Sequence, residues 1–227
     1  SVSSGFARGK ATVLQADLED YLYELVDSAG NMALDIDDFE EALDETESQI
    51  GELEHTLADQ LGDPSAAQIF TAHRFMLRDD HLAGAIRQRI SEGESPPKAV
   101  LAVIERYVGE LKKSNNPVLR DRTQDLRDLG YRLLSNLVGR QPGVRDYRGR
   151  IIIARELMPS DIFKLTTQGA AGVILLSGSP SSHVSILGRS LDVPLVIAKE
   201  KKLITLGGET DVIVDADQGN VFLDPDE

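Results

Sequence analysis

The 227-residue chain contains no cysteine and no tryptophan. Without cysteine there are no disulfides, thiolate metal sites or cysteine nucleophiles, and a reducing, cytoplasmic setting is the expected one. No apolar run approaches the roughly 18 residues that span a bilayer, and the N-terminus lacks the basic-then-apolar layout of a signal peptide. No membrane partner is therefore expected. The first residue is Ser1 rather than methionine, the form of a fragment or processed chain. A net charge of −14 argues against a nucleic-acid partner, because phosphate contacts demand clustered lysine and arginine. Basic residues are missing altogether from Ala11 to His73, a stretch with 17 acids; the remaining 21 acids face all 24 basic residues elsewhere. Such a stretch is either a solvated acidic surface or one that steers a basic partner.

Two textures follow one another along the chain. Residues 33 to 139 read as helical. Phe39, Leu43, Ile50, Leu53 and Leu57 recur at three-and-four spacings, the stripe of an amphipathic helix, and Gly62-Asp63-Pro64 ends it. Ser65 with Gln68 forms a capping box for a second helix that carries Ile69, Phe70, His73, Met76 and Leu77. Ser95-Pro96 starts a third, with Val100, Ile104, Tyr107, Val108 and Leu111 on its apolar face. Asn116-Pro117 opens a fourth, with Leu119, Leu126, Leu129, Leu133 and Leu137 inward and Gly139 as its C-terminal cap. Four helices with short connections predict a bundle.

The flanks differ. "GRIIIARE" and "GAAGVILLSG" are short apolar runs with the form of buried parallel strands, joined by "PSDIFKLTTQG" as a crossover helix. "VPLVIA", "DVIVDAD" and "GNVFLDP" follow as strands, and "GKATVLQ" supplies another near the N-terminus. A first strand separated from its sheet-mates by a helical stretch predicts an α/β domain, residues 1–32 and 144–227, with a four-helix bundle inserted at 33–143.

The chemistry centres on "SGSPSSHVSILGRS", residues 177–190. A lone histidine at a helix start is commonly structural. His183, however, follows a loop at the carboxyl end of a strand, where α/β sheets place their sites. Ser181 or Ser182 can cap a helix whose exposed N–H groups favour phosphate, and Ser185, Arg189 and Ser190 offer hydroxyls and a guanidinium to an anion. Neutral imidazole can attack a phosphoryl group without a strong base, and the transfer rests mostly on alignment and charge stabilisation. Other chemistries fit less well. There is no G-x-S-x-G elbow and no Walker loop, and His55, His73, His81 and His183 lack metal-ligand spacing, so no metal is expected.

The stretch "SGSPSSHVSILGRSLDVPLVIA" resembles the phosphohistidine segment of enzyme I of the bacterial phosphoenolpyruvate:sugar phosphotransferase system, and the related segment of pyruvate-phosphate dikinases and phosphoenolpyruvate synthases is similar. "AAQIFTAHRFMLRDDHL" and "NPVLRDRTQDLRDLGYRLLSNLVG" resemble the helical insert by which enzyme I grips its carrier HPr; the dikinases do not carry that insert in this form. "SSGFARGKATVL" and "DADQGNVFLDP" resemble the opening and closing segments of the same fold. The resemblance implies a swivelling β/α phosphohistidine domain with an inserted four-helix bundle. It implies that His183 takes a phosphoryl group through Nε2 and hands it to a histidine of HPr or a paralogue. Ile69, His73 and Met76 share one helical face, and the resemblance places them, with Leu82, Leu119 and Arg122, at the carrier interface; packing between helices is the other reading of each. Phosphoenolpyruvate and Mg²⁺ bind a C-terminal barrel in that family, which also drives dimerisation. This chain is therefore expected to hold no cofactor itself, to need a phosphorylated carrier, and to be a monomer as a fragment and a dimer at full length.

The motif departs from the family in two places. Ser179-Pro180-Ser181-Ser182 stand where a glycine-arginine pair usually precedes Thr-Ser-His, and Glu156-Leu157-Met158-Pro159-Ser160 stand where Asp-Leu-Thr-Pro-Ser is usual. The first change removes a possible phosphate partner. The second removes a hydroxyl that hydrogen-bonds the active histidine. Both point to a paralogue, such as a nitrogen-branch enzyme I or a multiphosphoryl protein of dihydroxyacetone metabolism. The competing class is a non-catalytic docking module with an altered loop around His183.

Overall fold

The computed structural model describes residues 2–14, 18–30, 32–61, 64–139 and 146–225. The chain divides into two compact units: Ser1–Asp17 with Gly143–Glu227, and Leu18–Pro142.

The first unit is built on one six-stranded sheet. Its strands are β1 (Phe6–Leu14), β2 (Arg150–Ala154), β3 (Gly172–Leu175), β4 (Leu195–Ile197), β5 (Asp211–Asp215) and β6 (Asn220–Leu223), in the order β4-β3-β2-β1-β5-β6. The first four in that order run parallel; β5 is antiparallel to β1, and β6 to β5. The continuous isoleucine run of β2 is buried on both faces, as a central parallel strand requires. Val13, Ile153, Ile174 and Val196 lie in register on one face, in a core completed by Ala11, Val212, Val214 and Leu203. On the opposite face helix α8 (His183–Ser190) packs closely; a Cβ on Gly188 would sit 2.9 Å from Leu195 Cδ1. At Gly9 a Cβ would stand 2.0 Å from Gly149 O, so β1 admits no side chain there. Helix α7 (Pro159–Thr167) makes the crossover from β2 to β3 and packs on α8.

The second unit is helical: α1 (Leu18–Ala29), α2 (Ile36–Leu61), α3 (Pro64–Arg78), a π-turn at Asp80–Gly84, α4 (Ala85–Ser91), α5 (Pro96–Lys112) and α6 (Pro117–Leu137). Asp35 Oδ1 accepts from the amides of Asp37 and Asp38, while Asp38 Oδ2 accepts from Asp35 N, a reciprocal cap on α2. Gly139, with φ +65°, closes α6 in the left-handed conformation expected of it. Gly130 lets α6 approach α5, since a Cβ there would meet Ile104 at 3.0 Å.

Three expectations are corrected or fall outside the description. The boundary set at residue 32 lies at 17, because α1 packs on α5 and α6 and belongs to the helical unit. Leu119, expected inward, is 43% exposed in the first turn of α6, whereas Leu126, Leu129, Leu133 and Leu137 are buried. The capping box at Ser65 and the stop at Gly62-Asp63 rest on a side chain and residues outside those described. Among the described residues no helix is long and apolar enough to cross a membrane.

Candidate functional site

Strands β2, β3 and β4 end at the same edge of the sheet, and the loops leaving them are tied together. Leu176 N donates to Ala154 O and Ser177 N to Arg155 O, each at 3.0 Å. Ser177 Oγ donates to Glu156 Oε1 at 2.9 Å. Gly178 then turns the chain with φ +127°, a value open to glycine and strained for other residues.

The next residues form a closed knot of hydroxyls. Ser182 is the N-cap of α8: its Oγ accepts from Ser185 N at 3.3 Å and donates to Ser185 Oγ at 3.0 Å. Ser185 Oγ donates onward to Ser179 O at 2.7 Å, and Ser182 N donates to the same carbonyl at 3.1 Å. Ser179 and Ser181 hydroxyls lie 3.1 Å apart. Ser182 and Ser185 are buried. His183 is the first helical residue, half-buried, at the positively polarised end of α8.

Thus Ser182 caps as expected. The buried Ser185 hydroxyl is directed to the loop backbone, although the sequence pattern suggested reach toward an anion. Arg189, given the same part, directs Nη1 to Pro180 O at 2.9 Å and Val2 O at 3.3 Å. Met158 is buried at the N-cap of α7, where its amide donates to Asp161 Oδ2 at 2.9 Å.

In the helical unit the named residues separate by exposure. Ile69, His73 and Leu82 are buried, Met76 and Arg122 are half-buried, and Leu119 is exposed. His73 stands edge-on to Phe70, and its Nε2 lies 3.3 Å from Asp125 Oδ1. Arg122 Nη1 donates to the other oxygen, Asp125 Oδ2, at 3.2 Å. Asp125 therefore links two residues named from sequence, His73 and Arg122; its only sequence signal is the i, i+3 spacing from Arg122. Phe75 on α3, 76% exposed, is like Leu119 of α6 a large apolar side chain open to solvent. Leu82 lies in the π-turn, which Asp79 caps by accepting from His81 N, and whose His81 O accepts from Tyr107 Oη. Part of the acidic charge of α2 is neutralised within the unit. Glu40 accepts two bonds from Arg87, and these hold its carboxyl below the usual range. Glu47 and Glu54 accept from Arg74 and Arg78.

Comparison with known proteins gives a consistent set of matches. Residues 1–122 match the family model "PEP-utilising enzyme, N-terminal", and residues 147–219 match "PEP-utilising enzyme, mobile domain". A phosphoenolpyruvate-protein phosphotransferase of Listeria innocua is 29% identical over 232 residues, covering all of this chain and 40% of the relative. A multiphosphoryl transfer protein of Xanthomonas campestris is 31% identical over 191 residues, 82% of this chain and 23% of that protein. The chain thus spans about two fifths or less of the curated relatives it matches. A solution NMR structure of an enzyme I protein superposes with a TM-score of 0.62 at 28% identity, covering 100% of this chain and 92% of that one. The N-terminal domain of a nitrogen enzyme I shares the fold, with a TM-score of 0.66 at 24% identity over 99% of this chain and 92% of that one.

Proposed function

Because the chain belongs to the PEP-utilising enzyme family, we propose that it is a phosphoryl carrier of a phosphoenolpyruvate-dependent phosphotransferase system, with His183 as the residue that bears the phosphoryl group. One observation carries the reading: a half-buried imidazole opens α8, directly after a serine cap, at the carboxyl edge of a parallel sheet. In the step, the lone pair on His183 Nε2 attacks phosphorus while the N–P bond to the donor's imidazole breaks. The donor ring keeps that electron pair, so no metal, base or further reactant is consumed. The metaphosphate-like group passes in line between two nitrogens, and the partial positive charge at the start of α8 favours its oxygens. The serine knot keeps that helix end and its histidine in fixed relation, so alignment is prepared in advance.

The donor and acceptor are an HPr-type carrier. Its docking surface is the helical unit, where exposed Phe75 and Leu119 offer apolar contact and the acidic stretch favours a basic rim. Mg²⁺ and phosphoenolpyruvate belong to another part of the family's architecture. Mg²⁺ wants near-octahedral oxygen coordination with carboxylates, and the hydroxyls around His183 are directed to one another and to Ser179 O. These residues do not fit that ion.

The test is to mix the whole chain with phosphorylated HPr and record phosphorus NMR. A phosphoramidate signal on this chain, absent from His183→Ala, is the expected result. Binding without that signal assigns the chain to the docking class. Label persisting in His183→Ala removes His183 from the role.

A further inference from the structure

The N-terminal residues are laid down as a strap beside β4. Val2 N donates to Leu195 O at 3.1 Å. Ser3 Oγ donates to Val193 O at 2.6 Å and accepts from Leu195 N at 2.7 Å. Gly5 N reaches Asp217 Oδ1 at 3.0 Å, and Ala216 N reaches Gly5 O at 2.8 Å. With Val2 buried, the strap is part of the folded unit.

Arg189 joins this strap to the loop before His183. Its Nη1 donates to Val2 O on one side and Pro180 O on the other, two carbonyls 178 positions apart in the chain. Pro180 has no N–H and cannot anchor its turn by donating, and Gly178 before it imposes little restraint of its own. A carbonyl at such a point is best held by a rigid donor. A guanidinium presents fixed, planar N–H groups, whereas an ammonium is a point charge on a flexible stem.

We propose that Arg189 is a positioning residue: it pins Pro180 to the N-terminal strap and so sets the orientation of the His183 ring, instead of binding the phosphoryl group. This rests on the reading of His183 as the phosphorylated residue. It assigns a share of the same task to Ser3, which holds the strap to both Val193 and Leu195.

The test uses the whole chain in three variants, Arg189→Gln, Arg189→Lys and Ser3→Ala, with thermal midpoints to confirm folding. Two quantities are read: the rate of phosphoryl uptake from phosphorylated HPr, and the ring-nitrogen chemical shifts and tautomer of His183. Positioning predicts that Arg189→Gln slows uptake on the order of 10- to 100-fold, the scale of a misaligned reacting group, and moves the His183 shifts. Arg189→Lys recovers little of the rate, and Ser3→Ala shows a smaller loss in the same direction. A phosphate contact predicts the reverse pattern, with Lys retaining most of the rate and Ser3→Ala neutral; that result overturns the proposal, as does a wild-type rate in Arg189→Gln. If the unaltered chain takes up no phosphate, the functional reading fails by itself. The ring shifts then decide the positioning claim: movement in Arg189→Gln sustains it, and unchanged shifts overturn it.

Discussion

The two units treat buried polarity in opposite ways. In the helical unit the described buried polar residues include His73, Asp125, Arg127 and Asp128; in the β/α unit they are the neutral pair Ser182 and Ser185. In the helical unit Asp125 stands between His73 and Arg122, one on each oxygen, and Arg132 Nε lies 3.3 Å from Asp128 Oδ1. Buried ion pairs add little net stability but cost heavily when one partner is removed. The serine loop is neutral throughout, so nothing in the knot itself competes with a dianionic group for the helix end. On the proposed reading, a unit that docks a carrier can hold fixed charge in its interior, while a loop that hands on a phosphoryl group profits from having none.

Three measurements bear on that contrast. The largest effect is expected from Asp125→Ala, which strips His73 and Arg122 of their shared partner; urea unfolding should show a loss of about 3 kcal/mol, the upper end for a hydrogen bond to a charged group. Asp125→Asn, keeping shape and acceptor, separates the charge contribution from the packing. If both variants melt like the parent, the helical unit does not depend on its internal charges and the contrast fails. Next comes Ser185→Ala, which removes a donor from Ser179 O and a partner from Ser182; about 1–3 kcal/mol is expected, with faster amide exchange at the start of α8. The smallest effect concerns Glu40. Arg87 lowers its folded-state pKa, so its contribution is present above the ordinary carboxylate range and is lost as pH falls through the lowered value. The pair is more than a third exposed on both sides, so the contribution is under about 1 kcal/mol. Glu40→Gln should flatten this acid limb of the stability profile and leave neutral-pH phosphoryl uptake unchanged.

Much of the β/α unit is legible in the sequence because its strands are short, unbroken apolar runs and their burial is set by composition alone. The helical unit is legible only where periodicity is long. Helix α1, with Leu22, Leu25 and Ala29 buried, is too short and acidic to stand apart from its flanks, and packing against α5 and α6 secures it. The π-turn at Asp80–Gly84 receives a hydrogen bond from Tyr107, 26 residues away, which no local pattern contains. At the site, the Ser-Ser-His sequence is itself the signal for a capped helix start. The destinations of Ser185 and Arg189 are not readable in that way. A hydroxyl or guanidinium near a phosphate-type helix end suggests an anion, whereas both settle on backbone carbonyls, one of them supplied by Val2 from the far end of the chain.

Strands β1 and β2 are parallel neighbours, with Lys10 opposite Arg150 and Leu14 opposite Ala154. A chain leaving the top of one must return to the bottom of the next, a journey that always needs a dozen or more residues. The helical unit, Leu18–Pro142, occupies that obligatory detour. A connection of that length leaves strand order and register intact, because β1 and β2 need only be parallel neighbours at its two ends. The same geometry sets the rule for excision: the β/α unit can be isolated by splicing in a linker of crossover length, whereas a tight hairpin turn would force β2 to reverse.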